Sequence, residues 1–136
     1  MPSVLFLCVH NAGRSQMAAG WLRSLAGPNV TVRSAGSAPA EAINPIAAQA
    51  MAEMGIDIRG HSPQRWTDAM ALSADIVVSM GCGDSCPTHP GARLVEWDIP
   101  DPAGHALDKV RPIRDRIKTE VQNLLRELEA PLRSSE

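Results

Sequence analysis

Strands and helices alternate along this 136-residue chain, which predicts an α/β domain of three layers, α/β/α, around a four-stranded parallel sheet. Three observations carry the prediction. A short apolar run, Val4-Leu5-Phe6-Leu7, is followed by a helical stretch from Gln16 to Leu25. Further short runs at 30–34, 75–80 and 94–97 read as strands, with helical segments or turn-rich stretches between them. The chain then closes on one long amphipathic segment from about Leu107 to Glu129.

Each element has a local reason. Gly27-Pro28-Asn29 stops the first helix and turns the chain. Val30-Thr31-Val32-Arg33-Ser34 alternates as a second strand and ends at Ala35-Gly36. Asn44 is placed to cap a helix with Pro45 at its first position, with Ile46, Ala50 and Met54 on one face and Gly55 closing it. A shorter helical stretch covers Thr67 to Ala71. Asp75 to Met80 reads as a buried third strand, and a loop rich in Gly, Cys and Pro follows through Gly91. Leu94-Val95-Glu96-Trp97 is the fourth strand. In the last helix Val110, Ile113, Ile117, Val121, Leu124 and Leu128 recur at helical spacing, and Pro112 must fall in its first turn or kink it. One domain is expected over 1–130, with 131–136 a frayed tail; Trp21 and Trp97 belong to its core.

Composition excludes several classes. A net charge of −2 leaves no basic footprint for nucleic acid. No apolar run approaches the length of a membrane span, and Met1-Pro2-Ser3 leads into the first strand without a secretory n-region. A cytoplasmic monomer is expected, its odd set of three cysteines reduced at rest. Tyrosine is absent and there is one Phe, so aromatic stacking surface is scarce.

The chemistry gathers at the carboxyl ends of the strands, where ligands sit in such sheets. That edge is expected to collect Cys8, Ser34, Cys82 and the segment after Trp97. Cys8-Val9-His10-Asn11-Ala12-Gly13-Arg14-Ser15 places one thiol, a loop and an arginine between the first strand and the first helix. The loop amides of Val9, His10, Asn11, Ala12, Gly13 and Arg14, with the positive end of the helix dipole, face an anion above Cys8. Arg14 adds a planar fork suited to two oxygens of a tetrahedral anion. That field favours the thiolate, so nucleophile and oxyanion cradle come from one segment. Ser15 can cap the helix and steady the thiolate. Asn11 either tolerates a left-handed turn or pins the loop with its side chain. His10 reads as an exposed loop residue with its side chain turned away.

Asp98-Ile99-Pro100-Asp101-Pro102 follows the last strand, and an acid on such a rigid loop can protonate a leaving oxygen. Asp101 is preferred to Asp98, because Pro102 restricts its backbone. Gly81-Cys82-Gly83-Asp84-Ser85-Cys86-Pro87 carries two thiols on a polar, Gly-rich loop. Thiol exchange would let Cys82 attack at Cys8 and Cys86 then attack Cys82. A zinc site from Cys82, Cys86 and His89 is the rival reading, with His61 or His105 as a fourth ligand.

Together the Cys-x5-Arg-Ser loop, the Ser34-Ala35-Gly36 turn and Asp101-Pro102 resemble, in order and spacing, the low-molecular-weight protein tyrosine phosphatase superfamily over essentially the whole chain. Within it the chain is similar to the arsenate reductases. Arg14-Ser15-Gln16-Met17-Ala18 is similar to theirs where phosphatases usually place Pro at position 16, and Ala103-Gly104 stands where phosphotyrosine phosphatases carry aromatic residues. The resemblance implies a phosphatase-like fold, no bound cofactor and no metal. It further implies that arsenate, with phosphate or sulfate competing, is attacked by Cys8 while Asp101 acts as acid. Cys82 would then release arsenite, and a Cys82–Cys86 disulfide would be reduced by thioredoxin. The two loop cysteines lie closer together than in thioredoxin-coupled relatives and are similar to actinobacterial reductases. Some of those use mycothiol and a mycoredoxin, with Cys8 acting alone. A low-molecular-weight phosphatase is the other alternative. Ala19 stands where some relatives place an acid near a potassium ion, so no potassium site is expected.

Overall fold

The computed structural model describes residues 2–81 and 92–134. Its strands are β1 (Ser3–Cys8), β2 (Thr31–Gly36), β3 (Ile76–Ser79) and β4 (Arg93–Glu96). They form one parallel sheet in the order β2-β1-β3-β4. The helices are α1 (Arg14–Ala26), α2 (Pro45–Ala52), α3 (Asp68–Ser73) and α4 (Leu107–Ser134), with a single 3-10 turn at Gly27–Asn29. The expected α/β/α architecture is borne out.

The sheet divides its side chains by the two-residue period of a strand. Val4, Phe6 and Cys8 of β1 face α1, α2 and α4 in the larger core, where Phe6 packs on Trp97 with ring centroids 5.7 Å apart. Leu5 and Leu7 face the other way, toward Ala35, Val77, Met70 of α3 and Trp66. Because β1 is central and covered on both faces, its run is apolar throughout rather than alternating. Each large side chain so buried contributes about 1.5–3 kcal/mol.

Several boundaries differ from the sequence reading. The helix α1 begins at Arg14, two residues earlier than its apolar pattern suggests, so Ser15 lies inside the first turn and Gly13 takes the capping position without a side-chain bond. In α2 the buried face is Ala47, Ala48, Ala50 and Met51, and Met54 lies past the helix end and exposed. The Asn44 side chain caps α2, accepting from the amides of Ile46 and Ala47 at 2.9 and 3.2 Å. Thr67 caps α3 instead of belonging to it. Pro112 sits in the second turn of α4 rather than the first, and both Pro112 and Asp108, the residue whose carbonyl loses its helical donor, are exposed. The α4 backbone continues through Pro131 to Ser134, so the tail is helical where it is described.

A charged clamp fixes α4 to α2. Glu53 accepts from Arg111 at 2.6 Å and from Arg114 at 2.7 Å, and Arg114 also donates to the Ala50 carbonyl. The hydrogen bond from Arg111, then that from Arg114, lowers the Glu53 carboxyl to about 2. Trp21 of α1 donates to the Arg114 carbonyl at 3.2 Å, which ties α1 to α4 as well.

Candidate active site

The segment between β1 and α1 is shaped mainly through its carbonyl groups. Those of Cys8, Val9, His10 and Ala12 accept from the amides of Ser37, Ala38, Ala40 and Asn44 at 2.8–3.3 Å. Asn11 offers its carbonyl to the Gln16 side chain, and Gly13 to the Met17 amide. Every carbonyl from Cys8 to Gly13 is therefore engaged, four by the 37–44 segment and two by the first turn of α1. In a trans peptide the C=O and the next N–H point opposite ways, so this ring of outer bonds turns the amides of residues 9–14 toward the cleft above Cys8. The uncapped first amides of α1 open onto the same place.

Asn11 is the one non-glycine residue with positive φ among those described, at +50°. Its side chain also pins the loop, so both readings of this residue hold together. The carboxamide accepts from the Gln64 amide at 2.9 Å and donates to Ser15 Oγ at 2.7 Å. Ser15 Oγ is 2.9 Å from Cys8 Sγ, and the Asn11 amide donates to the same sulfur at 3.3 Å. Asn11, Ser15 and Cys8 are all buried.

Two glycines allow the close approaches. A Cβ at Gly36 would lie 2.5 Å from the Val9 carbonyl oxygen, and one at Gly13 would lie 2.6 Å from Pro102 Cγ. The second contact brings the 101–104 turn over the loop. Cys8, His10, Ala12, Gly13, Arg14, Asn44, Asp101, Pro102 and Ala103 line the resulting cleft. Arg14 is nearly buried, donates to the Ile99 carbonyl at 3.2 Å and lies 3.7 Å from Asp101 Oδ2. Asp101 is half-exposed, and its other oxygen accepts from the Ala103 amide at 3.0 Å. Asp98 lies outside this cleft, in a neighbouring depression with Ser79, Gly81, Glu96 and Trp97. His10 is exposed at the edge of the cleft, and its Nδ1 donates to the Ala38 carbonyl of the outer segment at 3.2 Å.

Ser34 lies two residues before Gly36, the β2 partner of Cys8; its carbonyl accepts from the Gln64 side chain. Cys82, Cys86 and His89 lie outside the described residues. Among the described residues no group of three or more His, Cys, Asp or Glu side chains is arranged for a metal. The sequence reading passed over Gln16, Gln64 and the 37–44 segment.

Over residues 3–134 the chain matches the low molecular weight phosphotyrosine protein phosphatase model. The chain belongs to this family. An arsenate reductase of Staphylococcus xylosus is 35% identical over 124 residues, which are 89% of this chain and 94% of that protein. A glutaredoxin arsenate reductase of Synechocystis is 34% identical, over 92% of this chain and 97% of that one. Among solved structures, the thioredoxin-dependent arsenate reductase of Corynebacterium glutamicum superposes with a TM-score of 0.86 at 40% identity, covering 96% of this chain. This chain spans 63% of that protein's length. The resemblance to arsenate reductases within the superfamily is borne out. No helix among the described residues is long and apolar enough to cross a membrane.

Proposed function

We propose that this chain is an enzyme that reduces arsenate to arsenite. The observation that carries the reading is the cleft itself: a buried thiol shares it with Arg14, with Asp101 at the rim and no Phe, Tyr or Trp among its described lining residues. Such a cleft fits a small tetrahedral oxyanion, and its described lining residues include no Phe, Tyr or Trp ring to stack on an aryl ester. The arsenate reductases among the relatives support the same substrate.

The steps follow from the residues. Arg14 and the amides of residues 9–14 hold the oxyanion and neutralise its charge. Cys8 Sγ attacks arsenic while Asp101 gives a proton to the departing hydroxyl. Cys82 then attacks Cys8 Sγ. The sulfur–arsenic bond breaks, its electron pair stays with arsenic as arsenite, and a Cys8–Cys82 disulfide remains. Attack of Cys86 on Cys82 frees Cys8, and thioredoxin reduces the Cys82–Cys86 disulfide. The thioredoxin dependence of the Corynebacterium relative supports this donor.

The test is arsenate-dependent NADPH oxidation with thioredoxin and its reductase, in the parent and in Cys82→Ser and Cys86→Ser. Repeated turnover in the parent, lost in both variants, is expected. Turnover that needs mycothiol and a mycoredoxin, and ignores both substitutions, would replace the relay with transfer by Cys8 alone. Hydrolysis of phosphoesters without arsenate-dependent oxidation under any donor would refute the reductase reading.

A further inference from the structure

We propose that Gln16 is a positioning residue for the Cys8 nucleophile, setting through Asn11 the direction in which Ser15 donates its hydroxyl proton. The inference rests on the reading of Cys8 as the nucleophile and is independent of which oxyanion it attacks.

The direction of the chain of bonds can be fixed from one end. The Gln64 main-chain N–H is a donor without ambiguity, and it points at Asn11 Oδ1 from 2.9 Å. That identifies the carboxamide oxygen of Asn11, so the group 2.7 Å from Ser15 Oγ is the Nδ2 donor. Ser15 Oγ accepts there, and its single hydrogen is left for Cys8 Sγ at 2.9 Å. Gln16 reinforces the same polarity. Its Nε2 is 3.1 Å from the Asn11 carbonyl oxygen and 3.2 Å from Asn11 Oδ1, both acceptors. A flipped Gln16 would set its own oxygen against both.

Burial makes this bond pattern informative. Gln16 is 1% exposed, and its Oε1 has no partner among the described residues. A buried carboxamide with an idle oxygen is kept for its donor side, and both acceptors it reaches belong to Asn11. Asn11 in turn holds the left-handed turn at φ +50°, which brings its own amide to Cys8 Sγ. Without Gln16, the Asn11 side chain keeps its bonds to the Gln64 amide and Ser15 Oγ but loses the donor that also ties its Oδ1 and its carbonyl oxygen to α1, so the carboxamide that turns the Ser15 hydrogen toward sulfur is held less firmly.

The readout is the state of the thiol without substrate, in a Cys82→Ser, Cys86→Ser background where Cys8 is the sole cysteine. Gln16→Met keeps length and apolar bulk but removes the donor. Gln16→Leu removes the same donor with a shorter apolar side chain and leaves the backbone amide in place. The charged and titratable side chains that line the cleft with Cys8 are Arg14 and His10 of the loop and Asp101 of the facing turn, and neither substitution alters them. Ultraviolet thiolate absorbance, followed from about pH 5 to 9, should move to higher pH, leaving about tenfold less thiolate on the acid side. Parent-like absorbance in either variant, with cooperative unfolding intact, would overturn the proposal. A second measurement needs no substitution at position 16: in the nuclear magnetic resonance spectrum of that background, the side-chain NH2 signals of Asn11 and Gln16 should shift with the Cys8 titration. Signals of Gln16 that ignore it would equally overturn the assignment. Failure of arsenate turnover would refute the reductase reading and leave these readouts unchanged.

Discussion

Gly36→Ala is the sharpest test of how the loop is held. The new Cβ would lie 2.5 Å from the Val9 oxygen, 3.0 Å from the Asn11 nitrogen and 3.0 Å from the Cys8 oxygen. Ordinary non-bonded separations begin at roughly 3.5 Å, so the worst contact is short by about 1 Å. All three neighbours are backbone, and no side-chain rotamer can relieve them. Nor can residue 36 retreat freely. Its amide donates to the Gln64 carbonyl at 2.8 Å, its carbonyl accepts from Trp66 at 3.1 Å, and it pairs with Cys8 across β1 and β2. The loop must yield instead. Overpacking of this kind costs about 1–3 kcal/mol, which lowers Tm by about 5–10 °C in a chain of this size. The catalytic loss should be larger in proportion, because a displacement of about 1 Å in a positioned site can cost about a hundredfold in kcat/KM. Three measurements together decide it: Tm, arsenate turnover, and the stabilisation against urea conferred by added phosphate, which reads the oxyanion cradle directly. A variant with the parent's Tm, turnover and phosphate stabilisation would refute the view that the β2 end braces the loop.

Gly13→Ala places its Cβ 2.6 Å from Pro102 Cγ, a ring on a surface turn that can move, so Tm should fall by less than for Gly36→Ala while turnover approaches that of Asp101→Asn; equal thermal losses in the two glycine variants would contradict the distinction. Glu53→Gln should destabilise at neutral pH. The folded-state carboxyl lies near 2, below its ordinary value of about 4.3, so the charged form's contribution is complete above the latter and lost as pH falls toward the former. The Tm gap between parent and Glu53→Gln should thus close over that window, and a gap indifferent to acid would remove the clamp from the account.

What was legible in the sequence was local. Cys8, Arg14 and Ser15 stand within eight residues between a strand and a helix, so the loop could be read without knowing what surrounds it. Asp101 could be placed because the carboxyl ends of parallel strands gather on one edge. One expectation that failed, Ser15 as a helix cap, has a physical reason. The loop bends the chain into helical geometry by Arg14, leaving the first amides of α1 uncapped, and Ser15 turns its hydroxyl to Cys8 and Asn11. The outer frame was not legible, because residues 37–44 and 64–66 have no period and act mainly through backbone groups, whose partners no side-chain pattern announces. Gln16 was hidden differently: a polar residue in a first helical turn ordinarily faces water, and only the burial of α1 from Ser15 to Leu22 turns it inward.

On the proposed reading, the oxyanion cradle itself has little say in which chemistry follows. Arsenate and phosphate are both tetrahedral and close in size, and amides with one guanidinium discriminate poorly between them. The outcome is decided after Cys8 has attacked, since an arsenic adduct can take an electron pair from a second thiol and a phosphorus adduct leaves by hydrolysis. Whatever brings that thiol to the cleft therefore matters as much as the loop. Gly81, the residue before Cys82, bears on this directly. It adopts φ +104°, and a Cβ there would lie 2.8 Å from Arg14 Nη1. The backbone leading into the second thiol thus starts in contact with the arginine assigned to the oxyanion. Arg14 also holds the Ile99 carbonyl and lies beside Asp101, so one guanidinium touches the segments that supply the acid and the next nucleophile.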